Sequence, residues 1–150
     1  MPQLHEYPVS VNWNGGRDGS GDVTAAGSGS KTALAVPVEF QGPGGAGNPE
    51  ELLTSAIASC YAITFGIVAS NRRVPVESLK VEAVGYVEQN GANLAYNKIV
   101  IRPTIKLDSA ATEQQIATAT DIAHKADGYC LVTNAVRAKV EVVVEPTILT

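Results

Sequence analysis

Two cysteines, one arginine and one glutamate stand out in this 150-residue chain for the chemistry their types allow. Cys60 sits in Ser55-Ala56-Ile57-Ala58-Ser59-Cys60-Tyr61-Ala62-Ile63, the middle of an apolar, helix-forming run. Such surroundings suit a small core hydrophobe. They also raise a thiol's pKa and silence it, so a chemical role requires a cation brought from elsewhere. Cys130 follows Gly128 and opens Cys130-Leu131-Val132-Thr133-Asn134-Ala135, where backbone N–H groups of a short following helix could hold a thiolate. A passive buried thiol explains it equally well. Arg17 is presented by Gly15-Gly16-Arg17-Asp18-Gly19, whose glycines let the backbone approach another surface closely, although a loop arginine can also simply face water. Glu50 lies at a helix start, where dipole stabilisation alone accounts for a carboxylate. His124, six residues before Cys130, reads as a helix-surface residue rather than a ligand.

Other chemistries find little purchase. Cys60, His124 and Cys130 are the available soft metal ligands, and they lack a close pair such as Cys-x-x-Cys, so zinc is not expected. Neither glycine-rich stretch continues into Lys-Ser/Thr or into the helix of a dinucleotide-binding unit, so no nucleotide or other cofactor is expected. The net charge is -4, the pI is near 5.1, and the Lys and Arg residues are scattered. Nothing supplies the basic field that nucleic acid or an anionic membrane would need. The start, MPQLHEYPVS, has neither the positive charge nor the apolar run of a signal peptide, and the sequence reads as having no stretch of the roughly 20 apolar residues that span a bilayer. A cytoplasmic protein is expected. In a reducing compartment, two cysteines are more often catalytic, redox-sensing or buried than locked in a structural disulfide.

The elements that must position these residues can be read from periodicity and punctuation. A single domain over residues 1–150 is expected, built in the order β-β-β-α-β-β-α-β. Residues 4–13 alternate loosely as a strand, the glycine turn makes a hairpin, and segments 21–27 and 32–40 read as further strands, the second with Leu34, Val36, Val38 and Phe40 on one face. Gly42-Pro43-Gly44-Gly45-Ala46-Gly47 must be loop. Asn48 is a good N-cap, Pro49 fits the first helical position, and Glu50 and Glu51 suit the positive end of the dipole. The helix continues to about Ser70. With few polar residues on any side, it should be buried nearly all round, more than one chain of this size can enclose, which points to a dimer. Residues 79–89 and 97–107 alternate as strands joined by a longer connection through Ala95. A helix over 111–126 stops near Gly128, a half-helix spans Cys130 to Val136, and a last strand covers 138–145.

Taken together, Gly15-Gly16-Arg17-Asp18-Gly19, Asn48-Pro49-Glu50-Glu51-Leu52-Leu53, Ala58-Ser59-Cys60-Tyr61, and Ala123-His124-Lys125-Ala126 with Cys130 resemble the OsmC/Ohr family of hydroperoxide reductases. The glycine turn is Ohr-like and Asn-Pro-Glu-Glu-Leu-Leu is OsmC-like. OsmC-type members tend to take their arginine from the strand before the glycine loop, which here reads Val38-Glu39-Phe40-Gln41, leaving Arg17 as the candidate cation. The resemblance implies an α+β fold, with antiparallel sheet wrapping a central apolar helix in an intertwined homodimer. It implies reduction of organic hydroperoxides, and often hydrogen peroxide, in a two-cysteine cycle. By position, Cys60 would attack the peroxide, Cys130 would resolve, Arg17 would activate and Glu50 would orient Arg17. An external dithiol, of lipoyl type in Ohr relatives, would reduce the disulfide.

Helix geometry adds a constraint, since ten residues on one straight helix separate Glu50 and Cys60 by about 15 Å along the axis. Either Arg17 bridges them, or the helix is interrupted, or Glu50 and Arg17 serve Cys60 of a second chain. Two rival readings remain beside the peroxidase: a dimer that binds a small apolar ligand with both cysteines passive, and a thiol redox sensor or purely structural dimer.

Overall fold

The computed structural model describes residues 1–150, which divide into two compact units, Met1–Leu52 and Leu53–Thr150. In the first unit, strands β1 (Val9–Asn14), β2 (Ser20–Ala25) and β3 (Lys31–Leu34) form an antiparallel sheet in that order. The β1–β2 register runs from Val9 opposite Ala25 to Asn14 opposite Ser20. Gly15 takes φ +99° to start the intervening turn, a conformation that costs glycine little. Gly19 closes the turn with its N–H on the Gly16 carbonyl at 2.9 Å, and the Trp13 indole donates to the Gly15 carbonyl at 3.0 Å.

The strand expected over 32–40 stops at Leu34. Beyond it, Pro37 offers no N–H to a ladder. Residues Val38–Phe40 form a 3₁₀ turn, closed by Gln41 at φ +64° donating to the Val38 carbonyl at 2.9 Å. The glycine loop then returns beside β3, with Ala35 N–H on the Gly47 carbonyl at 3.0 Å and Gly47 N–H on the Ala33 carbonyl at 2.9 Å.

Helix α1 (Pro49–Asn71) runs without interruption. Asn48 caps it as the sequence suggests: Glu51 N–H donates to Asn48 Oδ1 at 2.9 Å, and Asn48 Nδ2 donates back to Glu51 Oε1 at 2.6 Å. Strands β4 (Val76–Asn90) and β5 (Asn93–Leu107) pair antiparallel from Val76 opposite Leu107 to Asn90 opposite Asn93. The expected long connection is therefore two residues, with Gly91 at φ +63°. A bulge between Tyr86 and Val87 absorbs one residue of register.

Helices α2 (Glu113–Tyr129) and α3 (Leu131–Val136) follow, then β6 (Glu141–Val144) and a strand the sequence did not signal, β7 (Thr147–Leu149). Both final strands lie parallel to β5, reached by the crossover through α2 and α3, so the second sheet is mixed rather than purely antiparallel. Pro103 sits between the β5 residues that pair with β6 (Lys98–Ile101) and those that pair with β7 (Thr104–Lys106), where its missing N–H interrupts neither ladder.

The core of the second unit combines a four-residue stripe of α1 (Ile57, Tyr61, Phe65, Ala69), alternate residues of β5 (Ile99, Ile101, Ile105, Leu107), and Ala119, Ile122, Ala123 and Ala126 of α2. Within the single chain the helix is enclosed on one side only. Ile63 and Ile67 are 64% and 57% exposed, because one sheet and one helix can cover only one face. The 18-residue window of α1 has a mean hydropathy of 1.8. By length and composition, then, α1 does reach what crossing a membrane requires, against the expectation that no stretch would. Its scattered Ser and Thr residues disguise this, since a hydroxyl such as that of Ser59, donating to the Ala56 carbonyl at 3.2 Å, is satisfied within the helix.

Tyr61 ties this core together, its buried hydroxyl donating to the Ala123 carbonyl of α2 at 2.6 Å. Burial, and secondarily the nearby Asp127 charge, push its pKa well above the usual 10.0. Tyr61 therefore remains a donor throughout the neutral range. A pKa raised on folding contributes stability fully below the unfolded value and loses it as pH rises beyond that value. Tyr61→Phe should cost about 1–2 kcal/mol in urea unfolding of the oxidised protein at pH 7. It should also flatten the decline in stability above pH 10 that the parent protein shows.

Candidate active site

Cys60 and Cys130, 70 residues apart in sequence, are joined by a disulfide with a Cα–Cα separation of 5.9 Å. Cys60 is half-buried on α1, immediately before the Tyr61 anchor, and its position follows from the core stripe. With Ile57, Tyr61 and Phe65 turned inward, residue 60 falls at the edge of that stripe. Cys130 is fully buried between α2 and α3.

That junction is fixed by several independent bonds. Cys130 N–H donates to the Asp127 carbonyl at 3.3 Å, ending α2, while its sulfur caps α3 by accepting from Thr133 N–H at 3.4 Å. The Thr133 hydroxyl also donates to Cys130 Sγ, at 3.1 Å. Asn134 Nδ2 reaches the Gly128 carbonyl at 2.9 Å, and Arg137 Nη2 reaches the Asp127 carbonyl at 2.9 Å and its carboxylate at 3.1 Å. Helix α2 thus runs through Gly128, past the stop expected there, and ends on the cysteine. The other sulfur is more loosely attended, its nearest side-chain hydroxyl being Thr64 Oγ1 at 4.0 Å.

Of the four residues singled out by type and spacing, the structure brings Cys60 and Cys130 together. Arg17 and Glu50 belong to the first unit. Arg17 is exposed on the glycine turn and donates through Nη1 to Gln41 Oε1 at 3.2 Å. Glu50 is half-buried in the first turn of α1. Since α1 is continuous, the interruption that would have drawn Glu50 toward Cys60 does not occur. His124 takes no part in the bonds around the sulfurs.

Sequence reading passed over Thr133 and Tyr61. The signal for Thr133 was its spacing of three from Cys130, which is that of a helix cap to its N3 residue. Tyr61 was hidden by its position beside the cysteine within an apolar run. A cavity of about 260 Å³ opens elsewhere between α1 and α2, lined by Val68, Arg72, Asp121, Ile122, Lys125 and Tyr129. Asp121 accepts from Lys125 at 2.8 Å and Arg72 at 3.0 Å across it, and both cations hold its carboxyl below the usual range.

The arrangement can carry out two-electron thiol chemistry: Cys60 is half-buried, and Cys130 is fully buried with two hydrogen-bond donors on its sulfur. The chain is similar to known proteins in both sequence and fold. The family model for OsmC-like protein matches residues 42–145. An uncharacterized protein, YmaD of Bacillus subtilis (strain 168), is 32% identical over 145 residues, covering 96% of this chain and 95% of its own. An OsmC-like protein of unknown function from Vibrio cholerae, VCA0330, superposes with a TM-score of 0.76 at 26% identity, over 95% of this chain and 99% of its own. The organic hydroperoxide resistance protein OsmC of Legionella pneumophila has the same fold, with a TM-score of 0.73 at 23% identity over 96% and 99% of the two chains. From its cysteine pair and its mixed α+β architecture to the family match over most of its length, this chain belongs to the OsmC-like protein family.

Proposed function

We propose that the protein is a thiol-dependent hydroperoxide reductase, with organic hydroperoxides as substrates and hydrogen peroxide as a poorer one. The observation that carries this reading is the pairing of Cys60 with Cys130, the oxidised end state of a two-cysteine cycle. Membership of a family that includes organic hydroperoxide resistance proteins supports it. In the reduced enzyme the Cys60 thiolate attacks the distal peroxide oxygen, the O–O bond breaks, and the alcohol leaves. The resulting sulfenic acid condenses with Cys130, releasing water before further oxidation. An external dithiol restores both thiols.

A cysteine of ordinary pKa, near 8.5, is mostly protonated at neutral pH, so Cys60 needs a cation. Arg17 fills that role in this reading, each pKa unit of depression corresponding to about 1.4 kcal/mol. Glu50 orients the guanidinium, and the uninterrupted α1 favours both being contributed by a second chain. The apolar flank of α1 left exposed by the single chain, including Ile63 and Ile67, gives that second chain a surface to cover. Such walls favour alkyl over polar peroxides.

The reduced protein should consume cumene hydroperoxide faster than hydrogen peroxide with dihydrolipoamide as reductant, and Cys60→Ser should abolish turnover. Cys130→Ser should complete one turnover and then over-oxidise at Cys60, visible as a mass gain. A protein that ignores both peroxides, with a Cys60 pKa at or above its reference value, is a binding protein instead. Light scattering should give twice the 15.6 kDa chain mass, and Ile63→Glu with Ile67→Glu should shift it toward the monomer. Mixing Cys60→Ser chains with Arg17→Ala chains should recover activity if Arg17 acts across subunits. A site contained in one chain leaves every mixed dimer inactive.

A further inference from the structure

The two sulfurs of the disulfide are not equivalent, and the difference bears on how the bond is reopened. Cys130 Sγ is fully buried and accepts from both the hydroxyl and the N–H of Thr133, at 3.1 and 3.4 Å. Cys60 is half-buried, and its nearest hydroxyl, that of Thr64, stands at 4.0 Å. Two threonines of α2 spend their hydroxyls on the carbonyl four residues back, Thr118 on Gln114 and Thr120 on Ile116, both at 2.9 Å. Thr133, itself fully buried, aims its hydroxyl at a sulfur instead. A disulfide sulfur is a weak acceptor, whereas a thiolate makes a charge-assisted bond. The Thr133 donors therefore bind the product of bond cleavage better than the intact bond, which is the requirement for accelerating that cleavage.

We propose that Thr133 is a catalytic residue of the reductive half-reaction, making Cys130 the leaving thiolate and directing the incoming reductant to Cys60. This rests on the thiol-peroxidase reading for its place in a cycle, but not for its chemistry. A thiolate of the dithiol reductant attacks Cys60 Sγ, the Cys60–Cys130 bond breaks, and its electron pair stays on Cys130 Sγ under the Thr133 hydroxyl and N–H. The mixed disulfide on Cys60 is then attacked by the reductant's second thiolate, which releases Cys60 as a thiolate and the reductant as a cyclic disulfide. Two electrons pass from the dithiol to the protein. The two protons of the dithiol end on the protein thiols or in solvent. Burial alone would raise the Cys130 pKa and make it a poor leaving group; the Thr133 donors offset this.

The test uses oxidised full-length protein and needs no peroxide. Brief treatment with glutathione, followed by acid quench and peptide mapping, should place the adduct on Cys60 in the parent protein. Thr133→Val should slow opening of the disulfide by dithiothreitol at pH 7 by roughly three- to tenfold, while Thr133→Ser, which keeps the hydroxyl, should stay close to the parent rate. In reduced Cys60→Ser protein, adding Thr133→Val should raise the Cys130 pKa, followed by thiolate absorbance, by about one unit. A glutathione adduct on Cys130 would overturn the proposal. So would an opening rate and Cys130 titration unchanged by Thr133→Val. Should Thr133→Val fail to fold by circular dichroism, Thr133→Ala replaces it, and the adduct map on the parent protein decides the direction of attack without any variant. Absence of peroxide turnover in the parent would sink the peroxidase reading and leave these measurements standing.

Discussion

A helix resting on an apolar bed can turn or slide by small steps at little cost unless something directional holds it. Here that restraint is the Tyr61 hydroxyl on the Ala123 carbonyl, a short bond inside the core. It fixes the rotation of α1 against α2 at the residue next to Cys60, seven residues before Cys130. Two helical turns of α2 then carry the chain from the bonded carbonyl to the second sulfur. The core bond and the disulfide thus hold the two helices in one common register. Dispersion and area alone would leave the register between the helices far less defined.

Much of this arrangement was legible in the sequence because it rests on local rules. The Asn48 cap, Pro49 at the first helical turn, the alternating strands flanking Asn90-Gly91, and the half-helix after Cys130 all follow from capping, period and turn chemistry. What escaped was decided by non-local pairing. Nothing in Leu34-Ala35-Val36-Pro37-Val38 says that the ladder ends at Leu34; the returning glycine loop takes the neighbouring backbone groups. Nor does Glu141–Val144 announce that its partner is a parallel strand, since a parallel β5 neighbour is set by the crossover through α2 and α3. At the site, the cysteines were legible by type, but Thr133 looked like one more threonine in a short helix. Its significance depends on a rotamer that sequence does not encode directly.

The apolar surface of α1 is larger than the single chain covers. A helix apolar on every side is a statement about what it avoids, namely water, and not about how many partners one chain can supply. One stripe, Ile57 to Ala69, meets the sheet and α2, and the opposite flank carries Ile63 and Ile67 into the open. The same property gives α1 the hydropathy of a spanning segment. That flank contributes nothing to the chain's own core.

Cys130 closes one helix with its backbone and opens the next with its side chain. Neither of those bonds uses the sulfur–sulfur link. Breaking that link therefore leaves the α2–α3 corner with its punctuation intact, and the Asn134 and Arg137 braces persist as well. The corner that presents Cys130 is therefore held by its own helix ends, independently of the covalent bond that joins it to α1.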